Sequence, residues 1–302
     1  MKRLFPILSV LTAGLLAYAL YQALVVAPTD AQQGDVYRII YYHVPSGWMF
    51  MLLFSINFVA SIQYLVSAKP ARQTVANWIV IGVAVAGVVT TFLPPVQTQL
   101  TSAGMRPSAI ATTVLAIPAF YFLVGWLFPG ERLDVLAVTT AEVGVVFCTI
   151  VLVTGPIWAR PVWGIWWAPG DIRLTSTLVL WLIYVSYLIL RRFSNSAQTQ
   201  MLAAALAIFG ALDVPLVYFS IWFFRTQHPQ PILGGGGSID PRMLHVMVLN
   251  GFAFLCFAFL VCWSRFRLEL LHREVEQAHA MESLAGSEVR AGVSLPLNRR
   301  AP

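Results

Sequence analysis

Two histidines, His43 and His228, are the residues of this sequence best suited to bind a metal. The sequence contains five histidines and three cysteines, and these two histidines fall just outside long apolar runs. A neutral imidazole is a good ligand for iron, copper or zinc. A closed zinc site needs four ligands, whereas a pair of imidazoles is typical of the two axial positions of an iron in a flat macrocycle. His245 and Met243, at the start of the last apolar run, are the next candidate ligands.

Four tryptophans crowd into one short segment. Trp158, Trp163, Trp166 and Trp167 fall within ten residues, and the prolines at 156, 161 and 169 argue against a regular helix there. A loop is therefore predicted over about 156–173. Tryptophan also forms belts at membrane interfaces, but a belt spreads its rings around the perimeter rather than clustering them. A clustered indole surface suits a flat, mostly apolar ligand.

Three arginines could complete such a site. Arg38, Arg160 and Arg173 stand near the histidines or the tryptophans in the sequence, and an arginine can pair with a carboxylate through two parallel hydrogen bonds. Haem is flat and largely apolar, with two propionates and one iron, so it meets every requirement of these residues. The residues alone leave a second interpretation open, in which the tryptophans form an interfacial belt and the loop is a contact surface.

The elements that must position these residues are membrane helices. The chain has 302 residues, of which 58% are hydrophobic and 11% charged, against about 45–50% and about 25% in soluble domains. This composition excludes a water-soluble enzyme, a disordered protein and a nucleic-acid binder. Neither Lys2 nor Lys69, the only lysines, follows a glycine, so the chain has no P-loop and any use of ATP must come from a partner.

Eight stretches are long and apolar enough to cross a bilayer core about 30 Å thick. They cover about 4–27, 48–67, 76–94, 109–129, 133–155, 174–190, 201–224 and 243–264. The predicted fold is therefore an all-α polytopic membrane helix bundle with eight transmembrane helices. Residues 1–267 are expected to form one integral membrane domain, and 268–302 a tail that is helical at first and disordered beyond about 285.

The distribution of basic residues predicts how the bundle is oriented. With the N-terminus inside, thirteen of the nineteen lysines and arginines fall on the inner side, so the positive-inside rule predicts that both termini are cytoplasmic. The connections over about 28–47, 156–173 and 225–242 then lie outside. This orientation places His43, the tryptophan segment and His228 on one face of the membrane.

The tryptophan segment resembles a known signature. Residues 163–176, WGIWWAPGDIRLTS, are similar to the tryptophan-rich WWD motif of the haem-handling proteins of cytochrome c maturation. They most resemble the CcmC family, and the CcsA and CcmF families are more distant. Further matches, in the same order, surround His43 and His228. The resemblance covers about 1–66 and 142–267.

Two features depart from the family pattern. The motif usually runs Trp-Trp-x-Trp-Asp, whereas here Ala168-Pro169-Gly170 stands between Trp167 and Asp171. CcmC-like chains usually have six spans, and about 70–130 supplies two more here. These two form a pair that enters and returns, so the topology of everything after it is preserved. The number eight is similar to that of small CcsA-type proteins.

The resemblance implies a site for haem b. Within it, His43 and His228 would be the axial ligands of the iron, and Arg38, five residues before His43, would meet a propionate. An indole platform would be formed by Trp158, Trp163, Trp166 and Trp167. Asp171 and Arg173 would complete the signature.

The resemblance also implies a function. The protein would hold haem at the periplasmic face of the bacterial inner membrane and present it to the periplasmic haem chaperone CcmE, together with the ABC-type partners CcmA and CcmB and the small CcmD. It would be a carrier and not an enzyme. The main alternative is a CcsA-like subunit of a cytochrome c synthase, which attaches haem to apocytochrome thiols. A b-type electron-transfer cytochrome and a polar-solute transporter are less favoured, because the two histidines are predicted in loops and no internal repeat is visible.

Overall fold

The computed structural model describes residues 4–102, 106–194, 196–224, 226–229 and 239–290, with side chains to 283 apart from that of residue 222. Ten α-helices are found among these residues: α1 (Leu4–Tyr21), α2 (Ile40–Ser67), α3 (Pro70–Thr91), α4 (Pro94–Ser102), α5 (Pro107–Leu127), α6 (Glu131–Trp163), α7 (Ile172–Phe193), α8 (Ala197–Ala211), α9 (Asp213–Phe223) and α10 (Pro241–Arg290). A π-helical turn, Gln22–Val26, follows α1, and a 3₁₀ turn, Asp35–Ile39, leads into α2. The described residues form no β-strand, only one isolated bridge between Asp30 and Gly34.

Eight helical segments of the described chain are long and apolar enough to cross a membrane, which confirms the predicted all-α polytopic bundle. They are Leu4–Val26, Asp35–Ser67, Pro70–Thr91, Pro107–Leu127, Glu131–Trp163, Ile172–Phe193, Ala197–Ile221 and Pro241–Ser283. The seventh of them is broken at Leu212, between α8 and α9. Pro215 supplies the reason, because it has no N–H to donate to the carbonyl four residues before it.

The second span begins earlier than predicted, so His43 lies on a helix and not in a loop. The chain is helical from Asp35 onward, although Pro45 lies inside α2. Tertiary packing explains the difference: Ile40 and Tyr41 are buried in one cluster with Met247 of α10. Membrane helices tolerate an internal proline because neighbouring groups can satisfy the carbonyl that it leaves free.

The prediction of a loop from about 156 was also wrong. Helix α6 includes Pro156 and Pro161 and continues to Trp163. It ends at Gly164, which has a φ of +76° and donates its N–H to the Arg160 carbonyl. Glycine adopts this left-handed conformation without steric cost and commonly ends a helix in this way. The non-helical connection is therefore only 164–171.

Helices α2 and α6 form the centre of the bundle. Phe54 of α2 stacks on Tyr184 of α7, with ring centroids 3.6 Å apart, and a Cβ on Gly144 of α6 would lie 2.5 Å from the Phe54 ring. Gly144 thus allows α2 and α6 to approach each other. Asn57 ties the same helices together, because its amide donates to the Ala137 carbonyl at 2.7 Å.

The two extra spans lie at the periphery, whereas the long last helix packs on both α2 and α6. Helices α3 and α5 pack against each other and against α2, and α1 packs on α10. The tail predicted from 268 is a continuation of α10, which extends through it to Arg290. Residues 291–302 lie outside the described residues, so the predicted disorder of the end of the tail stays a prediction.

Candidate ligand-binding site

A cavity of about 460 Å³ lies between the first half of α2, the end of α6, the start of α7, α9 and residues 226–229. Its size falls within the about 300–1,000 Å³ that is usual for small-molecule sites. We call it the histidine cavity, since both predicted ligand histidines line it. Six of the residues singled out from the sequence meet there, namely His43, Trp158, Trp163, Trp167, Arg173 and His228.

The two histidine rings are separated by a distance that suits a shared metal ion. Their centroids lie 6.3 Å apart and their planes are tilted by 31°. Two metal–nitrogen bonds of about 2 Å, together with about 1.1 Å from each nitrogen to its ring centre, would separate two rings on opposite sides of one ion by about 6 Å. His43 and His228 therefore have the spacing of an axial pair.

The hydrogen bonds of His43 leave its Nε2 available. Thr154 of α6 donates its hydroxyl proton to the Ile150 carbonyl at 2.6 Å, so its Oγ1 is left to accept from His43 Nδ1, at 2.9 Å. The proton of the neutral ring is thus assigned to Nδ1 and the lone pair to Nε2. Such a hydrogen bond on the outer nitrogen is how proteins orient a ligand histidine.

His228 has the same tautomer for a different reason. Its Nδ1 donates to the carbonyl of Pro229 at 3.0 Å, and a carbonyl can only accept. Burial, followed by the Arg173 guanidinium and the His43 ring, lowers the pKa of His228 to about 3. The ring is therefore neutral at physiological pH, with its Nε2 lone pair available to a metal.

The indole rings form one wall of the cavity. Trp158 and Trp163 meet edge to face, with centroids 5.0 Å apart and an interplanar angle of 75°, and both stand on α6. The Trp158 ring is fixed by a residue that does not line the cavity, because its Nε1 donates to Gln33 Oε1 at 2.8 Å. Trp167 also lines the cavity, whereas Trp166 does not and is 59% exposed.

Arg173 and Arg38 have different environments. Arg173 lines the cavity, and its Nη1 is buried without a hydrogen-bond partner. A buried donor without a partner is costly, so this atom fits a ligand carboxylate. The structure does not bring Arg38 to the cavity: its Nη1 donates to the carbonyls of Ala23 and Ala27 at 2.9 Å each, and its Nε pairs with Asp35.

Asp171 is buried behind the tryptophan segment and does not line the cavity. Its Oδ1 accepts from the backbone N–H groups of Arg173 and Leu174, as the N-cap of α7. Its Oδ2 accepts from the hydroxyl of Thr226 and from the N–H of Gln227 at 2.9 Å. One carboxylate thus joins the start of α7 to the segment that carries the second histidine.

The residues inserted before Asp171 form a turn. The Asp171 N–H donates to the Ala168 carbonyl at 3.0 Å, with Pro169 at the second position of the turn, where proline is favoured. The Thr175 hydroxyl donates to the Pro169 carbonyl at 2.9 Å. The departure from the WWD pattern is therefore absorbed locally.

Several lining residues were not predicted from the sequence. Tyr37, Trp48 and Tyr218 contribute further aromatic surface to the cavity. Gly155, next to Thr154, faces His43, because a Cβ there would lie 3.4 Å from the ring. The signal for Thr154 was weak but present, since it stands one helical turn before Trp158 on the same face of α6.

The next candidate ligands, His245 and Met243, do not contribute to the histidine cavity. His245 is exposed and Met243 packs against Tyr41 in another cluster, and neither lines the cavity. Among the residues that the structure describes, no group of three or more His, Cys, Asp or Glu side chains could hold a metal. Two imidazoles alone would leave the remaining metal coordination to the ligand itself, which suits a metal carried in a macrocycle.

The fold and this cavity define a multi-pass membrane protein with an aromatic-lined cavity at one end of its helix bundle. A family model described as Heme exporter protein C matches residues 1–100 and 106–281. The chain belongs to the heme exporter protein C (CcmC) family.

Individual relatives agree with this assignment. Heme exporter protein C of Bradyrhizobium diazoefficiens is 28% identical over 296 residues, covering 96% of this chain and 89% of the relative. Heme exporter protein C of Escherichia coli is 30% identical over 249 residues, covering 82% and 76%. A putative cytochrome c biosynthesis ccmC-like mitochondrial protein of Marchantia polymorpha is 28% identical over 254 residues, covering 83% and 82%.

Proposed function

We propose that this protein carries haem b in the histidine cavity and delivers it for cytochrome c maturation. The observation that carries the proposal is the pair of neutral imidazoles, His43 and His228, with centroids 6.3 Å apart and both Nε2 atoms available. Membership of the heme exporter protein C family supports a role in haem export for cytochrome c biogenesis. The relatives bear exporter names, so a carrier is favoured over a synthase subunit.

Different side chains would contact different parts of the haem. The histidines would ligate the iron, the indoles of Trp158, Trp163 and Trp167 would contact the macrocycle, and Arg173 would pair with a propionate. His43 stands on a helix, whereas residues 226–229, which include His228, are not helical. We infer that loading and release proceed on the His228 side, because a non-helical segment moves more easily than a helix packed at the centre of the bundle.

The partners follow from the family role. A carrier without a P-loop depends on other subunits for any use of ATP. We propose the ABC-type CcmA and CcmB, together with the small CcmD, as these partners. The acceptor would be the periplasmic haem chaperone CcmE. The proposed location is the bacterial inner membrane, with the cavity facing the periplasm.

Haem retention tests the proposed function directly. Trp163→Ala should lower the haem content of the purified protein several-fold, because the ring lines the cavity and contacts Trp158. Trp166→Ala is the matched control, since Trp166 belongs to the same segment but does not line the cavity. Haem is measured by absorption after loading in detergent, at equal protein recovery. Equal haem loss in both variants would contradict the proposed site.

The hydrogen bond from His43 to Thr154 gives a finer test. Thr154→Val removes the acceptor of the Nδ1 proton at nearly constant volume, so haem should dissociate about tenfold faster, as expected for a partner of a metal-bound histidine. Thr154→Ser keeps the hydroxyl and should behave as the parent protein. The dissociation rate is measured by transfer of haem to excess apomyoglobin. A rate unchanged by valine would show that Thr154 does not orient the ring.

The proposed orientation is tested with reporter fusions. Fusions after residue 165 should be extracytoplasmic, and fusions after 131 and 270 cytoplasmic, because basic residues concentrate on the side that carries the termini. The readout is a pair of reporters that are active on opposite sides. The reverse pattern would place the histidine cavity in the cytoplasm and exclude delivery to a periplasmic chaperone.

A further inference from the structure

A second cavity lies at the opposite end of α6 and α7, far along these helices from the histidines. It measures about 870 Å³ and is lined by α6, the last turns of α7 and the middle of α10. Helices α7 and α10 both pack on α6, so α6 forms the floor of a groove between them. We call this cavity the arginine groove, after Arg191, Arg192 and Arg265 in its wall.

Arg191 is a buried cation with two donor atoms that have no hydrogen-bond partner. Its side chain is 5% exposed, and its Nη2 donates to Asp134 Oδ2 at 2.7 Å. Arg273 donates to the same oxygen, also at 2.7 Å. The Nε and Nη1 atoms of Arg191 are buried without a partner. A buried charge is stable only when its hydrogen bonds are satisfied, so Arg191 needs a further acceptor.

The carboxylates of the groove are already engaged. Glu142 accepts from Arg265 Nε and Nη2 at 2.7 and 2.8 Å. Glu269 accepts from Arg273 at 2.9 Å. Arg192, exposed beside Arg191, adds another positive charge to the wall. Since Arg265 is neutralised by Glu142, an anion in the groove would meet the charge of Arg192 and the unpartnered Nε and Nη1 donors of Arg191.

The rest of the wall is apolar. Val138, Val145 and Val146 of α6 face Leu188 of α7 across the groove. Val146 is 56% exposed and Phe193, at the end of α7, is 82% exposed. Because these helices belong to membrane spans, an apolar wall of this kind is open to hydrocarbon chains.

We propose that the arginine groove binds a phospholipid with an anionic headgroup. The headgroup lies against Arg191 and Arg192, and an acyl chain lies along Val145, Val146 and Leu188. Basic pockets between transmembrane helices have the chemistry that selects such headgroups. A free phosphate ion shares the headgroup chemistry but makes no use of the apolar wall, and this difference distinguishes the two sources.

Native mass spectrometry of the full chain in detergent tests the proposal. Phosphatidylglycerol should bind at least fivefold more tightly than phosphatidylcholine with the same acyl chains. Arg192→Gln should weaken phosphatidylglycerol binding about fivefold, as expected for one basic side chain near a lipid headgroup. Arg132→Gln is the matched control, because Arg132 is an exposed arginine at the same end of α6 that does not line the groove.

Two further measurements decide between the sources of the anion. Val146→Trp should narrow the groove along its apolar wall and so weaken the binding of phosphatidylglycerol. Inorganic phosphate at millimolar concentration should not displace the lipid. Displacement by phosphate, with no effect of Val146→Trp, would identify a soluble-anion site and overturn the proposal. Equal binding of the two lipids, or equal effects of Arg192→Gln and Arg132→Gln, would also overturn it.

Discussion

Replacing either His43 or His228 by alanine should convert the haem complex from low spin to high spin or abolish it. With both rings in place, haem iron has imidazole on each face, and bis-imidazole coordination gives a low-spin absorption spectrum. Each single substitution leaves one face without a protein ligand. Because His43 stands on a central helix and His228 on non-helical residues, His43→Ala should cause the larger loss of haem.

Free imidazole provides the decisive check on these variants. The small ligand can enter the space that the missing ring leaves, so millimolar imidazole should restore the low-spin spectrum of each single variant. Helical content by circular dichroism should match that of the parent protein. A double His43→Ala, His228→Ala variant that still held low-spin haem without added imidazole would exclude the pair as ligands.

Asp171→Asn should disturb the ligation of His228 while leaving the fold intact. The carboxylate serves two groups at once: the N-terminus of α7 through Oδ1, and Thr226 with Gln227 through Oδ2. An amide has only one oxygen, so it can cap the helix or accept from Gln227, but not both. Asparagine is itself a good N-cap, and we therefore expect α7 to be retained.

The effect should pass to His228 through Thr226. The Thr226 hydroxyl donates to Asp171 and accepts from the His228 N–H at 3.1 Å. Asp171→Asn should thus give a mixture of low-spin and high-spin haem, with haem released about tenfold faster. Thr226→Val should give the same mixture, and Thr226→Ser should not.

The spin state separates this positioning role from direct contact. If Asp171 acts through His228, free imidazole should restore the low-spin spectrum of Asp171→Asn. If Asp171 instead contacts the haem, the variant would bind less haem but keep the low-spin spectrum, and added imidazole would change nothing. The second outcome would show that this buried carboxylate moves to meet the ligand.

Composition was sufficient to predict the bundle, but not where its helices begin and end. The eight spans follow from long apolar runs, whose membrane propensity depends on residue type alone. The limits of α2 and α6 depend on tertiary contacts: Tyr41 packs on α10 and holds the first turn of α2, and Pro156 and Pro161 are accommodated inside α6. The proline rule, which derives from isolated helices, therefore predicted a loop over residues 156–163 that are helical, and the extent of the apolar run alone placed the start of α2 too late.

The candidate site was predictable in its residue types and less so in their roles. Histidine and clustered tryptophan carry their chemistry in their side chains, so His43, His228 and Trp163 could be proposed without knowledge of the fold, and all three line the histidine cavity. Asp171 and Arg38 were expected at the ligand, yet their hydrogen bonds go to the protein itself. Which partner a charged side chain takes depends on groups far away in the sequence, and these become visible only in the folded chain.

The length of α6 has a consequence for where the proposed transfer of haem would take place. The helix has 33 residues, so it is about 50 Å long, against a hydrocarbon core about 30 Å thick. With its charged beginning, where Asp134 is part of a buried ion-pair network, placed at one edge of the membrane, the excess length would emerge at the other edge and carry Trp158 and Trp163 with it. Under the proposed function, a water-soluble acceptor would therefore meet the cargo above the lipid surface, in a collision between two proteins. The acceptor would not have to enter the bilayer, so diffusion in water and the release of one ligand would govern the rate of transfer.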